Sequence, residues 1–131
     1  MSLSPTQLSQ FARLLDERYA TLLEEVRGEL EASQNLQYIE LIDRVPADVG
    51  DQSVGDALAD FNLAIVDRHV QEIRDIEAAK RRIEDGGYGV CTDCNDEIDP
   101  ARLAAYPTAK RCHACQQQRE RTYRHEATPR L

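Results

Sequence analysis

The chain has 131 residues, of which 31% are charged and only 5% aromatic, and its formal net charge is −8. This length suits one domain, or one domain with an appendage. The shortage of large apolar side chains favours long, solvent-exposed helices with a narrow apolar seam over a compact globule. The negative charge disfavours a general basic face for duplex DNA, because such a surface repels phosphates.

The charge is unevenly distributed. Residues 1–50 hold nine acids and four bases, residues 51–90 hold nine acids and five bases, and residues 91–131 hold six acids and seven bases. The first residues lack the basic and apolar regions of a signal peptide, and no apolar run approaches the ~20 residues that span a bilayer. We therefore expect a cytoplasmic protein with an acidic front and a nearly neutral tail.

A first helix is predicted from its capping pattern and from a heptad pattern. Ser4 can cap it, Pro5 suits the first helical position, and Gln7 can reach back to the cap. Apolar side chains then recur at the three- and four-residue spacing of a coiled-coil seam. They are Leu8, Ala12, Leu15, Tyr19, Leu22 and Val26. We expect this helix to continue to about Leu41.

Residues 44–52 are predicted to form a loop, because they contain Pro46, Gly50 and aspartates that favour turns. Ser53 can cap a second helix, and Gly86 can end it. The second helix has an apolar stripe of its own. The stripe consists of Leu58, Phe61, Ile65, Ile73, Ile76 and Ile83.

Two helices of matched length with a short connection predict a long antiparallel coiled-coil hairpin. Each helix would be roughly 45–55 Å long at 1.5 Å per residue, with the loop at the far end from the cysteines. We expect a mostly α protein with two parts. Residues 1–87 would form the hairpin with a tip loop at 44–53, and residues 88–131 a cysteine module followed by a C-terminal helix from about Ala109 to His125.

All four cysteines belong to two CxxC pairs, Cys91 with Cys94 and Cys112 with Cys115. Two such knuckles can arrange four thiolates tetrahedrally around one ion, which is the geometry that structural zinc prefers. Four protein ligands leave no open position for a water, which argues against hydrolytic catalysis. We predict one Zn²⁺ per chain and no enzymatic activity.

Two redox-active CxxC motifs or two disulfides are the alternatives for these cysteines. A thioredoxin-like motif needs a strand-to-helix setting, which the sequence does not predict here. The histidines are interpreted as non-ligands: His113 as a solvent-facing residue of the second knuckle, His69 as a packing or solvated residue, and His125 as lying near a chain end. We find no nucleophile–base pair and no phosphate-binding glycine loop.

Three segments around the cysteines carry a family resemblance. They are 88–94 (YGVCTDC), 98–103 (IDPARL) and 106–109 (YPTA). Together they resemble the zinc finger of the DksA/TraR family of bacterial RNA polymerase regulators. The similarity is specific over residues 84–115 and extends more loosely over about 10–125.

The resemblance implies a role for the loop between the two helices. In the family, an Asp-x-x-Asp-x-Ala motif at the coiled-coil tip enters the secondary channel of RNA polymerase and alters initiation without catalysing a reaction. Counting back from Cys91 places Asp48, Asp51 and Ser53 at these positions, so both acids match and Ser replaces Ala. Ordinary turn and capping chemistry is the alternative for the two acids.

The resemblance also bears on guanosine tetraphosphate, which some family members help polymerase to bind. The basic positions used there correspond to Asp75, Tyr106 and Gln116, none of which is cationic. A nucleotide with several phosphates needs cationic partners. We therefore expect synergy with this nucleotide to be weak or absent, unless another base such as Arg119 substitutes.

Three other functions stay open at this point. A zinc ribbon that binds nucleic acid would use the basic residues Lys110, Arg111, Arg119, Arg121 and Arg124. A secondary-channel factor could act on stalled or elongating complexes instead of initiation. A redox sensor would release zinc and form disulfides on oxidation.

Overall fold

The computed structural model of the protein describes residues 3–43, 54–60 and 67–127. Within these ranges the fold is mostly helical, as predicted, and its only β pairing is a single bridge. The elements are α1 (Pro5–Ala32), one 3₁₀ turn (Leu36–Tyr38), α2 (Ile39–Asp43), α3 (Val54–Asp60), α4 (Asp67–Asp85), α5 (Pro100–Ala105) and α6 (His113–Ala127). None of the described helices is both long enough and apolar enough to cross a membrane.

Helix α1 begins with the predicted capping box. The backbone N–H of Gln7 donates to the Ser4 hydroxyl at 3.1 Å, and the backbone N–H of Ser4 donates to the Gln7 side chain at 2.9 Å. Two backbone donors that an isolated helix would leave unpaired are satisfied in this way. The prediction of the helix start is confirmed.

Helices α1 and α4 form an antiparallel pair with a continuous apolar seam. The buried side chains of α1 are Phe11, Leu15, Tyr19, Leu22, Leu23, Val26 and Leu30, and those of α4 are Val70, Ile73, Ile76, Glu77 and Ala79. The predicted seam of α1 is therefore confirmed from Leu15 to Val26. It is wider than a strict heptad stripe, because further elements pack on the same helix.

Polar side chains fix the register of this pair. The Lys80 ammonium lies 3.0 Å from the carboxylate of Asp16, toward the start of α1. Toward the end of α1, the two ring nitrogens of His69 lie 3.0 Å from the carboxylate of Glu25 and 3.2 Å from that of Glu29. The two sets of contacts agree with one antiparallel alignment, since residues later in α1 meet residues earlier in α4.

Helix α1 ends at Ala32, nine residues before the predicted end near Leu41. Gln34 adopts a left-handed backbone conformation, with φ of 62°. The N–H of Gln34 then donates to the carbonyl of Glu31 at 3.1 Å, and that of Asn35 to Leu30 at 2.8 Å. These two bonds form a Schellman motif that closes the helix. The prediction was wrong because the motif usually contains glycine, and here it uses glutamine.

The second predicted helix, from Ser53 to about Gly86, is also corrected. On one straight helix, Val54 and Glu77 would lie about 35 Å apart, at 1.5 Å for each of 23 residues. Instead, the Val54 N–H donates to the Glu77 carboxylate at 2.9 Å. Asp56 likewise pairs with Arg74, so helix α3 packs antiparallel on α4 and the two helices do not form one straight helix.

The predicted tip residues Asp48, Asp51 and Ser53 lie outside the described residues. The described residues on either side of the predicted loop are Asp43, which pairs with Arg27 of α1, and Val54, which meets Glu77. Both flanks thus lie beside the α1–α4 pair. This differs from the expectation that the chain enters and leaves the loop at the far end of a rod.

Replacing Gln34 with glycine tests the end of α1. Glycine adopts the left-handed conformation without the steric cost that a side chain causes. We expect Gln34→Gly to raise the free energy of unfolding by about 0.5–1 kcal/mol, measured by urea denaturation. The matched control, Gln10→Gly within α1, should lower it by a similar amount. A loss of stability in Gln34→Gly would contradict this description of the helix end.

Candidate metal centre

The chain leaves α4 through a tight turn that leads into the first cysteine pair. Gly89 has φ of +85°, and a Cβ there would lie 2.9 Å from the Leu3 side chain. A side chain at Gly89 would therefore be strained and would also collide with the N-terminal segment. Beyond it, an antiparallel bridge joins Val90 to Glu97, so that the two arms of the first knuckle run side by side.

Backbone hydrogen bonds shape the first knuckle between Cys91 and Cys94. The Asn95 N–H donates to the Cys91 carbonyl at 3.0 Å, and Asn95 adopts φ of 65°. The Cys91 N–H donates to the Asp96 carbonyl at 2.8 Å. Asparagine tolerates this left-handed conformation better than most residues, so the local sequence suits the turn.

The second knuckle also begins the last helix. The Cys115 N–H points at the Cys112 sulfur at 3.5 Å, and the Gln116 N–H donates to the Cys112 carbonyl at 2.9 Å. Cys112 thus occupies the capping position, and α6 starts at His113. The predicted start near Ala109 was too early, because the preceding residues form the knuckle and pair with the first one through Thr92 N–H and Lys110 carbonyl at 2.9 Å.

The four predicted ligands lie together. The sulfur atoms of Cys91, Cys94, Cys112 and Cys115 are all within 4.8 Å of one another, and those of Cys94 and Cys112 are 3.8 Å apart. A tetrahedron with metal–sulfur bonds of ~2.3 Å has sulfur–sulfur edges of about 3.8 Å. The donor set and its spacing therefore fit one structural zinc ion.

Without a metal, the four thiols influence one another's ionisation. Burial of Cys91 opposes its ionisation, but backbone amides of Cys112, Cys94 and Asp93 donate to its sulfur and lower its pKa to about 6. Hydrogen bonds with the other three sulfurs, that of Cys112 foremost, raise the pKa of Cys115 well above its ordinary value. One thiol of the cluster is thus predisposed to ionise, and a divalent cation would stabilise the remaining thiolates.

Other motif residues attach the finger to the helical pair. The Tyr88 hydroxyl donates to the Pro107 carbonyl at 2.7 Å, and its ring lies 5.8 Å from that of Phe11 in α1. Burial raises the pKa of Tyr88 to about 12. The Arg102 guanidinium donates to the Arg111 carbonyl at 3.1 Å, just ahead of the second knuckle. The aromatic-Gly start and the Arg-Leu connector therefore have structural roles.

His113 and His69 lie where the sequence predicts. His113 is exposed within the second knuckle, and the His69 side chain is 11% exposed between α1 and α4. The side chain of His125 lies outside the described part of the chain. Among the described residues, the four cysteines are the cluster with metal-ligand geometry.

A cleft of about 530 Å³ lies where the helical pair meets the finger. Its lining residues are Leu14, Leu15, Arg18, Glu72, Asp75, Ile76, Ala105, Tyr106, Pro107 and Thr108. The structure thus brings Asp75 and Tyr106 together but leaves Gln116 out, and the Gln116 side chain bonds to Glu120 at 3.0 Å.

Arg18, the one cation among the described residues that line the cleft, is paired with a carboxylate of the same lining. The Arg18 guanidinium donates two hydrogen bonds to the Glu72 carboxylate, at 2.6 and 2.9 Å. The hydrogen bond from Arg18 holds the pKa of Glu72 below its usual value, so the carboxylate stays ionised. Asp75 adds a second negative charge, and the lining residues together carry one more acid than base.

Glu77 is a buried polar residue that the sequence reading missed. It is only 1% exposed, and it lies on the seam of α4 opposite Tyr19 of α1. Its sequence signal was an acid four residues after Ile73, which places it on the same face of the helix as the apolar stripe. Charged residues are almost never fully buried unless they are paired, so this position marks a specific contact.

The cysteine cluster predicts a direct test by metal analysis. Purified protein should contain one zinc per chain in native mass spectrometry. Cys112→Ser should lose zinc to a chelator far more readily, because removing one thiolate weakens the site and opens the second knuckle. Circular dichroism should show that most of the α1–α4 helicity remains.

His113→Ala is the matched control, because it changes an exposed residue of the same knuckle. It should keep its zinc under the same chelator challenge. Wild-type protein that contains no zinc and has two disulfides would overturn the assignment.

The sequence model described as "Prokaryotic dksA/traR C4-type zinc finger" matches residues 86–121. This range contains all four clustered cysteines, so the cluster is the binding site of one zinc ion. The chain is 34% identical over 109 residues to an uncharacterized protein of Aquifex aeolicus, with 83% of this chain and 72% of that protein covered.

Two further relatives have names. The chain is 37% identical over 78 residues to "RNA polymerase-binding transcription factor DksA" of Caulobacter vibrioides, covering 60% of this chain but only 55% of that relative. The solved structure of transcription factor DksA2 from Pseudomonas aeruginosa matches with a TM-score of 0.67 at 25% identity, over 92% of this chain and 88% of that one. The chain is a member of the DksA/TraR family.

Proposed function

We propose that this protein regulates transcription by binding RNA polymerase directly, and that its acidic tip acts through the secondary channel to alter initiation. The observation that carries the proposal is the four-thiolate finger fixed by Tyr88 to an antiparallel helical pair. The loop of this helical part contains both acids of the family motif, Asp48 and Asp51. Ser53 takes the third position of that motif.

The proposal divides the work between two parts of the chain. Residues 1–87 form the helical part that carries the tip, and residues 88–131 form the zinc finger with the last helix. The helical part and the finger would make most of the contact with RNA polymerase and would supply most of the affinity for it. The tip would supply the effect on transcription. The protein acts without catalysis, in keeping with four cysteine ligands that leave zinc no open position.

The charges of the finger argue against the alternative of a zinc ribbon that binds nucleic acid. The Arg111 guanidinium is bound to Asp93 at 2.9 Å, and its side chain is only 11% exposed. Arg119 and Arg121 are exposed on α6, but Glu120 lies between them in sequence. Retardation of naked promoter DNA that weakens steeply with salt would favour this alternative.

A factor for stalled or elongating complexes is the alternative within the same class. It would enter the same channel but change transcript cleavage or the lifetime of a paused complex. Assays on stalled complexes separate it from a regulator of initiation. We favour initiation because residues 44–53 contain both acids of the tip motif with which the DksA/TraR family alters initiation.

The tip acids predict a separation of binding from effect. We expect Asp51→Asn and Asp48→Asn each to retain polymerase affinity within about threefold, because interface energy is concentrated in well-buried contacts elsewhere. Each should lose most of the effect on promoter-complex lifetime, because the charge is removed while the size is kept. Affinity is measured by titration of labelled protein, and lifetime by competitor challenge.

Asp85→Asn is the matched control, since Asp85 is exposed at the end of α4 and far in sequence from the loop. It should regulate as the wild type does. If both tip variants also regulate normally, the loop acids serve only as turn residues.

The junction cleft supports the proposal that guanosine tetraphosphate has little effect on this protein. Asp75 would repel phosphate, and Arg18 is already paired with Glu72. A neutral Gln116 outside the cleft adds no positive charge. Charge-assisted contacts supply most of the binding of such a nucleotide, and the described lining offers no uncommitted cation for them.

In vitro transcription from a stringently controlled promoter tests this point. With a polymerase that lacks any other site for the nucleotide, guanosine tetraphosphate should change the half-maximal protein concentration by less than about twofold. Asp75→Lys should introduce nucleotide sensitivity if the cleft has the geometry but lacks the charge. Strong synergy in the wild type would mean that another base, such as Arg119, reaches the nucleotide.

A further inference from the structure

A buried carboxylate joins three helices in the middle of the molecule. Glu77 of α4 accepts a hydrogen bond from the Tyr19 hydroxyl of α1 at 3.2 Å and another from the Val54 N–H of α3 at 2.9 Å. Burial and the nearby carboxylate raise the pKa of Tyr19 well above its ordinary value. A buried carboxylate is costly unless it is hydrogen-bonded, so these donors matter to the fold.

The contact with Val54 is one part of a larger docking surface for α3. Val54 is 7% exposed and Leu58 is fully buried. Asp56 adds an ion pair with Arg74 of α4 at 3.0 Å, although both side chains are largely exposed and the pair contributes little. Helix α3 is therefore held mainly by two apolar side chains and by Glu77.

Gly55 allows this close approach. A Cβ at this position would lie 2.4 Å from Cγ of Arg74 and 3.1 Å from a carboxylate oxygen of Glu77. The Cγ atom is near the base of the Arg74 side chain, so it cannot move away without moving the rest of that side chain. The docked form of α3 thus requires glycine at position 55.

The docked position has a consequence for the reach of the neighbouring tip. Val54 directly follows Ser53, the last residue of the tip motif. If residues 54–85 formed one uninterrupted helix, Val54 would lie about 35 Å along the axis from Glu77. In the docked form the two residues are in contact. Docking of α3 therefore places Val54 about 35 Å further back along the axis of α4 than one uninterrupted helix would.

We propose that the docking of α3 on Glu77 is an autoinhibitory contact, which holds the chain next to the tip retracted in the free protein and is released when RNA polymerase binds. This inference rests on the proposed function. Polymerase would favour the released form by binding it more tightly, and weakening the docked form would then increase apparent affinity.

Gly55→Ala tests the contact, because its effects on the docked form and on the released form both shift the equilibrium toward release. It clashes with Arg74 in the docked form, and it favours a continuous helix in the released form. Gly28→Ala is the matched control, because it replaces an exposed helical glycine of α1 that has no atom within 4 Å of the new Cβ. It carries the helix-propensity effect without the clash.

The distance between positions 56 and 84 distinguishes the two forms. Spin labels on noncanonical amino acids at these exposed sites leave the zinc-binding cysteines unchanged. Because Asp56 contacts Arg74, the docked form predicts a separation of about 15–20 Å, whereas one continuous helix predicts about 42 Å. We expect the short distance in free wild type and the long distance with RNA polymerase. Free Gly55→Ala should show a mixture of the two.

Transcription assays with unlabelled protein give the functional readout. The half-maximal concentration should fall about five- to tenfold in Gly55→Ala and stay unchanged in Gly28→Ala. Glu77→Gln, which keeps the volume and removes the charge, should shift it in the same direction as Gly55→Ala. A short distance that persists in the polymerase complex, together with normal regulation, would overturn the autoinhibitory contact.

Different results would contradict the proposed function and the autoinhibitory contact. If the protein neither binds polymerase nor changes transcription, the proposed function fails. The distances in the free wild type and free Gly55→Ala still report whether glycine at position 55 permits docking. If regulation is normal but Gly55→Ala has the potency of Gly28→Ala, only the autoinhibitory contact fails.

Discussion

The apolar seam between α1 and α4 is the constraint on which the rest of the structure depends. Most of the stability of a helix in a protein comes from the packing of its amphipathic face rather than from the intrinsic propensity of its residues. Burying Leu15, Leu22 and Ile73 along one line stabilises both helices at once. The finger then attaches at one end of this pair through Phe11 and Tyr88. Helix α3 docks alongside it.

Zinc and the seam stabilise different parts of the chain by different means. The seam removes apolar surface from water, whereas the finger has few buried apolar residues and relies on four thiolates and short backbone hydrogen bonds. Tyr88 joins the two parts, since its ring packs at a tilt against Phe11 of α1 and its hydroxyl donates to the Pro107 carbonyl before the second knuckle. Loss of metal should therefore loosen the finger first and leave the helical pair largely in place.

Local chemistry explains which features could be predicted from the sequence. The capping box at Ser4, the seam from Leu15 to Val26 and the pairing of the two CxxC motifs all depend on residues close together in the chain or on metal geometry. The end of α1 could not be read, because Gln34 takes a position that glycine usually marks. The antiparallel packing of α3 on α4 could not be predicted either, because it depends on Val54 meeting Glu77, a residue far away in the sequence.

The proposed function requires that the tip acids reach the catalytic centre of RNA polymerase through its secondary channel. The most direct measurement places a photo-crosslinking amino acid at position 49, between the two tip acids, and captures the protein on RNA polymerase core enzyme. We predict crosslinks to the catalytic subunits near the active centre, together with retention of the protein through its finger and rod. Retention with crosslinks only to the outer surface, or no retention at all, would contradict action through the secondary channel.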